Sequence, residues 1–429
     1  MSAADQDPDE LAEFLLALGR AQLNAGFPVD SVTATLTNAA VQYGYPSADV
    51  AVLPGAVFLS LDAVHRGYFR VVDGEVTRLD QSAAVAAVAS RAVKGEISAR
   101  DGLAELARTP TMLPRFPYWA TILGYGMVAA GFSLVFRFSY WDPVIAGIMG
   151  MFVGICVRAS ARNPALNILM APLMGAVCSA VIFTVTKPLG PDVRPIHIVA
   201  AALIMLLPGA ALTQATMEMA AGHIIAGGAR MLWAMMQLLL LTAGIYVGAQ
   251  AVGLGLIDIQ PHRQDRLPLW VALAAVAVYA VGQGLVQNMP KGSIRIVFVL
   301  LIGAQVIVIL CALSVGAIVG CGLAAMVALF VAIIVEKRGI SQLPAISLFT
   351  PVFWLLVPGS VGVIGLVATV SGERGAYSVE IAAGANLLVQ SGAVIIAILI
   401  GMQVASLIGE ARFWNVNRES PVAQSPEQL

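Results

Sequence analysis

Leu207-Pro208-Gly209-Ala210 and Val357-Pro358-Gly359-Ser360 each interrupt a long apolar run where an unbroken helix is expected. Proline removes a backbone N–H donor and clashes with the preceding turn, and glycine then lets the chain bend. In lipid, the freed backbone groups must find a partner in protein, water or ligand. One Pro-Gly pair reads equally as a packing kink, because both residues are tolerated in membrane helices. Two such breaks, at corresponding places in two halves of one chain, point to a cavity lined by interrupted helices.

The composition around these breaks fixes the class. The 429 residues are 59% hydrophobic and 11% charged, against roughly 25% charged in a soluble domain. The apolar residues come in long runs, so the chain is an α-helical polytopic membrane protein in contact with the lipid bilayer. A net charge of −1 argues against a nucleic-acid partner. Cys156, Cys178, Cys311 and Cys321 lie inside apolar runs without metal-site spacing, so neither a metal nor another cofactor is expected. Residues 1–10 are acidic and polar and lack a signal-peptide pattern, which predicts a cytoplasmic N-terminus.

Residues 1–110 read as a small cytoplasmic α+β domain. Leu11, Phe14, Leu15 and Leu18 mark one helix face. A second helix, capped by Asp30 or Ser31, presents Val32, Leu36, Ala40 and Tyr43, and Gly44 is placed to end it. Short strands are predicted over 50–53, 56–61 and 68–72, with Asp73-Gly74 as a turn. Helices follow over 81–93 and 98–107, the latter with capping-box spacing between Ser98 and Asp101. Pro110, Pro114 and Pro117 make residues 111–117 a stiff linker.

Ten spans follow, each near the roughly 20 residues a bilayer needs. The first five (118–254) cover 118–135, 144–160, 165–186, 198–218 and 229–254. The second five (268–408) cover 269–286, 294–313, 315–335, 345–368 and 379–407, with residues 409–429 as a cytoplasmic tail. Ser314-Val315-Gly316 is the best turn between the seventh and eighth spans. Pro117-Tyr118-Trp119 matches Pro268-Leu269-Trp270 at an offset of 268 − 117 = 151, and the Pro-Gly pairs match at 358 − 208 = 150. Ile225 to Ala229 resembles Ile381 to Ala385 at 381 − 225 = 156. Five is odd, so the second copy enters from the opposite side: a 5+5 inverted repeat, an arrangement common in secondary transporters. With the N-terminus inside, short cytoplasmic segments hold nine Lys and Arg residues and outer segments six. That bias puts both termini in the cytoplasm.

The run Ala25-Gly26-Phe27-Pro28-Val29-Asp30-Ser31-Val32 through Tyr43-Gly44 resembles the opening of the threonine/serine exporter family. So do Pro117-Tyr118-Trp119, the Asp142 to Ala146 segment, and Pro208-Gly209 followed by a polar segment and Gly228-Ala229-Arg230. The resemblance covers nearly the whole chain and weakens after Ser371, where Gly372-Glu373-Arg374-Gly375 interrupts the second copy. It implies a multi-pass inner-membrane protein that exports threonine, serine or similar small amino acids in exchange for protons, and it leaves a homo-oligomer open. A passive channel, or export of another small metabolite, is the alternative within transport.

A threonine or serine zwitterion needs donors for its carboxylate and acceptors for its ammonium and hydroxyl groups. The start of a half-helix offers free N–H groups and a partial positive charge. Pro208, Gly209 and Ala210, or Pro358, Gly359 and Ser360, are therefore expected to hold the carboxylate. Thr213 and Gln214 lie about one turn beyond the first break and either contact substrate or bond within the bundle. Glu218, ten residues past Pro208, falls about 15 Å along a helix, near the cytoplasmic mouth. It is a candidate proton-coupling or gate residue, or else a solvated helix-end carboxylate. Arg230 pairs with it or anchors a helix at the headgroups, and Asp142 is a third gate candidate or a helix cap in an outer loop. Asn386, aligned with Arg230 by the 156 offset, is a further substrate-binding candidate, and Gln390 and Ser391 are expected to line the path opposite the first break. Tyr279, Gln283 and other neutral polar residues in the spans read mostly as interhelical bonds.

An enzyme in the N-terminal region is not expected. Ser60, Asp62 and His65 are close in sequence and Asp80 follows, but proximity in sequence does not make a triad. No phosphate loop, zinc spacing or nucleophile elbow is present. A membrane-anchored hydrolase acting through this region is the alternative from a different class.

Overall fold

The computed structural model describes residues 7–418 apart from 63–65, 73–76, 138, 161–162, 194, 221, 254–266, 342 and 357–376. α1 (Pro8–Asn24) starts with Pro8 in its first turn and the Asp7 carboxylate accepting the Asp9 N–H at 3.1 Å. Leu11, Phe14, Leu15 and Leu18 are all buried. The chain reverses at Gly26, whose φ of +81° is the left-handed region that glycine enters without a Cβ clash. α2 (Val29–Gln42) then begins earlier than the sequence predicts: Pro28 is its cap residue, and neither Asp30 nor Ser31 caps it. Proline suits that position because its missing N–H is not needed there and its φ is already fixed. Gly44, at φ +95°, ends α2, and the Tyr45 N–H returns to the Ala40 C=O.

β1 (Asp49–Leu53), β2 (Ala56–Ser60) and β3 (Tyr68–Val71) form an antiparallel sheet in sequence order, with Leu53 opposite Ala56 at the first turn. Val57 and Leu59 bury against the helices, while Phe58 and Phe69 stack on the other face at 6.2 Å. This is the alternation a half-buried strand requires. α3 (Leu79–Val93) and α4 (Ala99–Arg108) complete the packing, and Ser98 Oγ accepts the Asp101 N–H at 3.1 Å as the capping spacing predicts. The Tyr43 O–H donates to the Ile97 C=O at 2.6 Å, and burial raises the phenol above its ordinary pKa. The Asp73-Gly74 turn lies outside the described residues.

From Tyr118 onward the described chain is helical: α5 (Tyr118–Val135), α6 (Trp141–Ser160), α7 (Pro164–Thr186), α8 (Pro195–Ala202), α9 (Gly209–Ala220), α10 (Ile224–Ala251), α11 (Leu269–Val286), α12 (Ser293–Ser314), α13 (Ala317–Lys337), α14 (Ala345–Leu356) and α15 (Tyr377–Arg418). Among the described residues, 8 helices are long and apolar enough to cross a membrane: α5, α6, α7, α10, α11, α12, α13 and α15. The chain is a mostly helical polytopic membrane protein. Gly316, at φ +107°, makes the predicted turn between α12 and α13.

The count is eight rather than the ten expected because one predicted span is broken and another is described only in part. In the fourth, α8 stops at Ala202, a 3-10 turn covers Ile204–Leu206, and Leu207 is extended at φ −67° and ψ 133°. A residue before proline is pushed out of the helical region by the proline ring, and α9 restarts at Gly209. In the ninth, α14 stops at Leu356, and residues 357–376 lie outside the described residues.

α5 and α11 pack antiparallel through glycine. A Cβ on Gly131 would stand 2.8 Å from the Ala275 C=O and 2.7 Å from the Tyr279 N, and one on Gly282 would stand 2.9 Å from the Gly124 C=O and 2.7 Å from the Val128 N. These contacts are copies of each other at one offset: 282 − 131, 275 − 124 and 279 − 128 are each 151. The helix ends repeat it. Arg137 and Asn288, again 151 apart, are the two non-glycine residues with positive φ among the described residues. The Leu267 N–H donates to the Arg137 C=O at 2.8 Å, and the Phe116 N–H donates to Asn288 Oδ1 at 3.1 Å.

Candidate functional site

The break at Pro208 opens a narrow, apolar-walled pocket lined by Ile204, Leu207, Pro208, Gly209, Leu212, Leu238 and Trp354, with a cavity volume of about 20 Å³, room for about one water molecule. Pro208 cannot donate, the Gly209 N–H donates back to the Leu207 C=O at 2.8 Å, and the next N–H groups of a helix have no partner within it. α9 therefore points its N-terminal end at this pocket. Trp354 comes from α14, the described part of the other interrupted run. Its indole lies on Gly209 so closely that a Cβ there would overlap Cδ1 and Nε1 of the ring. The Nε1 atom is buried and has no hydrogen-bond partner.

α11 contacts both the α8–α9 break and α14. Tyr279 and Gln283 are each 0% exposed. The Tyr279 O–H donates to the Pro351 C=O in α14 at 3.3 Å, and Gln283 Nε2 donates to the Tyr279 oxygen at 2.9 Å and lies 3.8 Å from Met205 Sδ. Gln283 Oε1 is buried without a partner.

The other end of α9 is polar. Glu218 is 0% exposed, and Arg230 Nε of α10 stands 3.0 Å from Glu218 Oε2. The solvated helix-end carboxylate that the sequence allows is thus corrected: the α1–α2 turn and α10 cover it. The Arg230 guanidinium and the Val29 N–H at the start of α2 both face the Glu218 carboxylate, but neither is well aligned as a hydrogen bond. Arg230 Nη1 donates to Gln214 Oε1 at 2.6 Å, and Gln214 Nε2 donates to the Gly26 C=O at 2.8 Å. Gln214 therefore faces the N-terminal region and not the break. The same joint includes Ala226 of α10, which buries in the core of α1–α4, and the Leu79 N–H, which donates to the Gln287 C=O at 3.1 Å.

The remaining expected residues are dispersed. Asp142 is buried in the first turn of α6, at 2% exposure. Asn386 and Gln390 are exposed on α15, with Gln390 Nε2 donating to Asn386 Oδ1 at 3.3 Å. Pro358, Gly359 and Ser360 lie outside the described residues, as do the side chains of Ala210 and Thr213. In the N-terminal region Ser60 Oγ donates to the Asp62 C=O at 3.0 Å, Asp80 accepts from Arg78, and His65 is outside the described residues. Among the described residues no three His, Cys, Asp or Glu side chains come together as a metal site.

Sequence reasoning missed two participants. Trp354 stands four residues before Pro358, the place Ile204 holds before Pro208, so the 150 offset could have paired them. Gly26 stood in the Ala25–Val32 run, but its role depends on Gln214 reaching it from 188 positions away.

A family model described as "Putative threonine/serine exporter" (ThrE) matches residues 13–252, more than half of the chain. The chain belongs to this family. The match runs from α1 to α10, so it takes in the α1–α2 turn, the Pro208 break and the Glu218–Arg230 pair. Two proteins of Schizosaccharomyces pombe, both named as uncharacterized, are similar. C16A10.01 is 27% identical over 252 residues, covering 56% of this chain and 30% of its own length. C7D4.12c is 26% identical over 157 residues, covering 35% of this chain and 20% of its own length. The chain thus spans less than a third of the length of these relatives. No solved structure matches.

Proposed function

We propose that this chain is a secondary active exporter that carries threonine, serine or similar small amino acids across the inner membrane, with protons moving the other way. The observation that carries this reading is the break at Pro208, where a helix N-terminus faces a pocket inside a chain of the threonine/serine exporter family. Broken helices at the bilayer midplane are how many transporters hold a charged solute in lipid. The α9 N-terminus supplies the positive end of a dipole to the substrate carboxylate, and the walls from Ile204, Leu212 and Leu238 suit a short aliphatic side chain. Pro358, Gly359 and Ser360 are the second copy of this break. Asn386 and Gln390 line the path from α15, and Ala210 and Thr213 complete the first break.

The architecture proposed is ten spans as a 5+5 inverted repeat, with the fourth and ninth interrupted, residues 1–110 as a cytoplasmic domain and both termini inside. The recurrence of α5–α11 contacts at an offset of 151 supports it, because only copies related by a two-fold axis place equivalent residues against each other's partners.

Glu218 is the proton carrier in this reading. A fully buried carboxylate whose polar neighbours are one guanidinium and the Val29 N–H, neither in good hydrogen-bond geometry, is costly to keep ionised. The charges that face it are Arg230 of α10 and Asp30 of α2. The α1–α2 turn covers Glu218 from the cytoplasm, so residues 1–110 act as an inner gate that must lift from Gln214 and Glu218 before solute or protons enter. Asp142 belongs to the outer end of the same path. The test is efflux of labelled threonine from oriented proteoliposomes, with and without a pH gradient. An antiporter drives threonine uphill only with the gradient. Downhill flux that an uncoupler leaves unchanged marks a passive channel and overturns the reading.

A further inference from the structure

Trp354 has two properties that packing alone does not require. Its ring occupies the space above Gly209, the first residue of α9, and its Nε1–H is buried without an acceptor. An unpaired buried donor is costly, a cost that a bound oxygen would relieve. Among the described residues, the wall of the pocket supplied by the second half of the chain is this residue. We propose that Trp354 donates its Nε1–H to the carboxylate of the amino acid bound at the Pro208 break and so is a substrate-binding residue. This rests on the transport reading above. The carboxylate, and not the hydroxyl, is assigned because the neighbouring helix N-terminus already favours negative charge at that point. The indole also explains the glycine: any side chain at position 209 displaces the ring and its donor.

Trp354→Phe keeps a ring over Gly209 and removes only the N–H. In inside-out vesicles with a fixed pH gradient, it should raise the KM for threonine by about tenfold or more, with the maximal rate nearly unchanged. It should raise the inhibition constant of 2-aminobutanoate, which keeps the carboxylate and lacks the hydroxyl, by the same factor. Trp354→His, which retains a ring N–H, should recover part of the loss. Gly209→Ala should abolish transport, and Gly209→Ala with Trp354→Leu should restore measurable flux. Unchanged KM in Trp354→Phe, or a rise for threonine alone, overturns the assignment while leaving the transport reading standing. Wild-type vesicles that take up no threonine overturn the transport reading itself, and the assignment with it.

Discussion

The two ends of α9 are built from opposite materials. At Gly209 the helix starts in an apolar pocket whose polar atoms are backbone N–H groups and one indole donor. At Glu218 it ends in a chain of charge and amide contacts from Arg230 through Gln214 to the backbone of the α1–α2 turn. An apolar wall can release a solute at little cost. A buried ion pair cannot lose one member without leaving a bare charge behind. Under the transport reading proposed above, the comparison suits one end to solute contact and the other to closure, on one rod.

Three variants sharpen or break this contrast. Arg230→Met should have the largest effect, because it leaves Glu218 buried and unpaired. A loss of about 3 kcal/mol or more in unfolding free energy is expected, read as a lower melting temperature in detergent. Adding Glu218→Leu should recover most of it, and a double variant as weak as the single one would show that the pair is not the source. Gln214→Leu strips a donor from the Gly26 C=O and an acceptor from Arg230, for about 1–3 kcal/mol. It should raise the rate at which protease cuts residues 1–110 free of the membrane helices. Gly26→Ala is the smallest and the most diagnostic. Both Gly26 and Gly44 have positive φ, at +81° and +95°, so alanine strains each by about 1 kcal/mol. Only at Gly26 would the new Cβ also meet Gln214 Nε2, at 2.8 Å. Gly26→Ala should therefore loosen the N-terminal region while Gly44→Ala only destabilises it. Equal protease sensitivity in the two would refute a latch at Gln214.

Local rules carried the fold far. The helices and strands of residues 7–111 follow from periodicity and glycine stops, and α5, α11, α12 and α13 begin or end within a few residues of the apolar runs that predict them. The miss at α2 has a local cause: two polar residues with good capping chemistry lost to a proline already shaped for the position. The broken fourth span was legible because Pro208 and the residue before it are constrained by covalent geometry. The candidate site was legible only in part. Pro208 and Gly209 announced themselves, and Glu218 and Arg230 were near enough in sequence to suggest a pair. Trp354 and Gly26 act through partners 145 and 188 positions away, since 354 − 209 = 145. Nothing in the spacing of single residues reports contacts of that range.

The length of α9 has a mechanical consequence. Twelve residues make a rod about 18 Å long. If the rod pivots at Pro208 by about 10°, its far end travels about 3 Å, as much as the whole donor–acceptor distance of a hydrogen bond. Under the transport reading proposed above, a small rotation at the solute's end of the rod would thus reach the α1–α2 turn as a displacement of a full hydrogen-bond length.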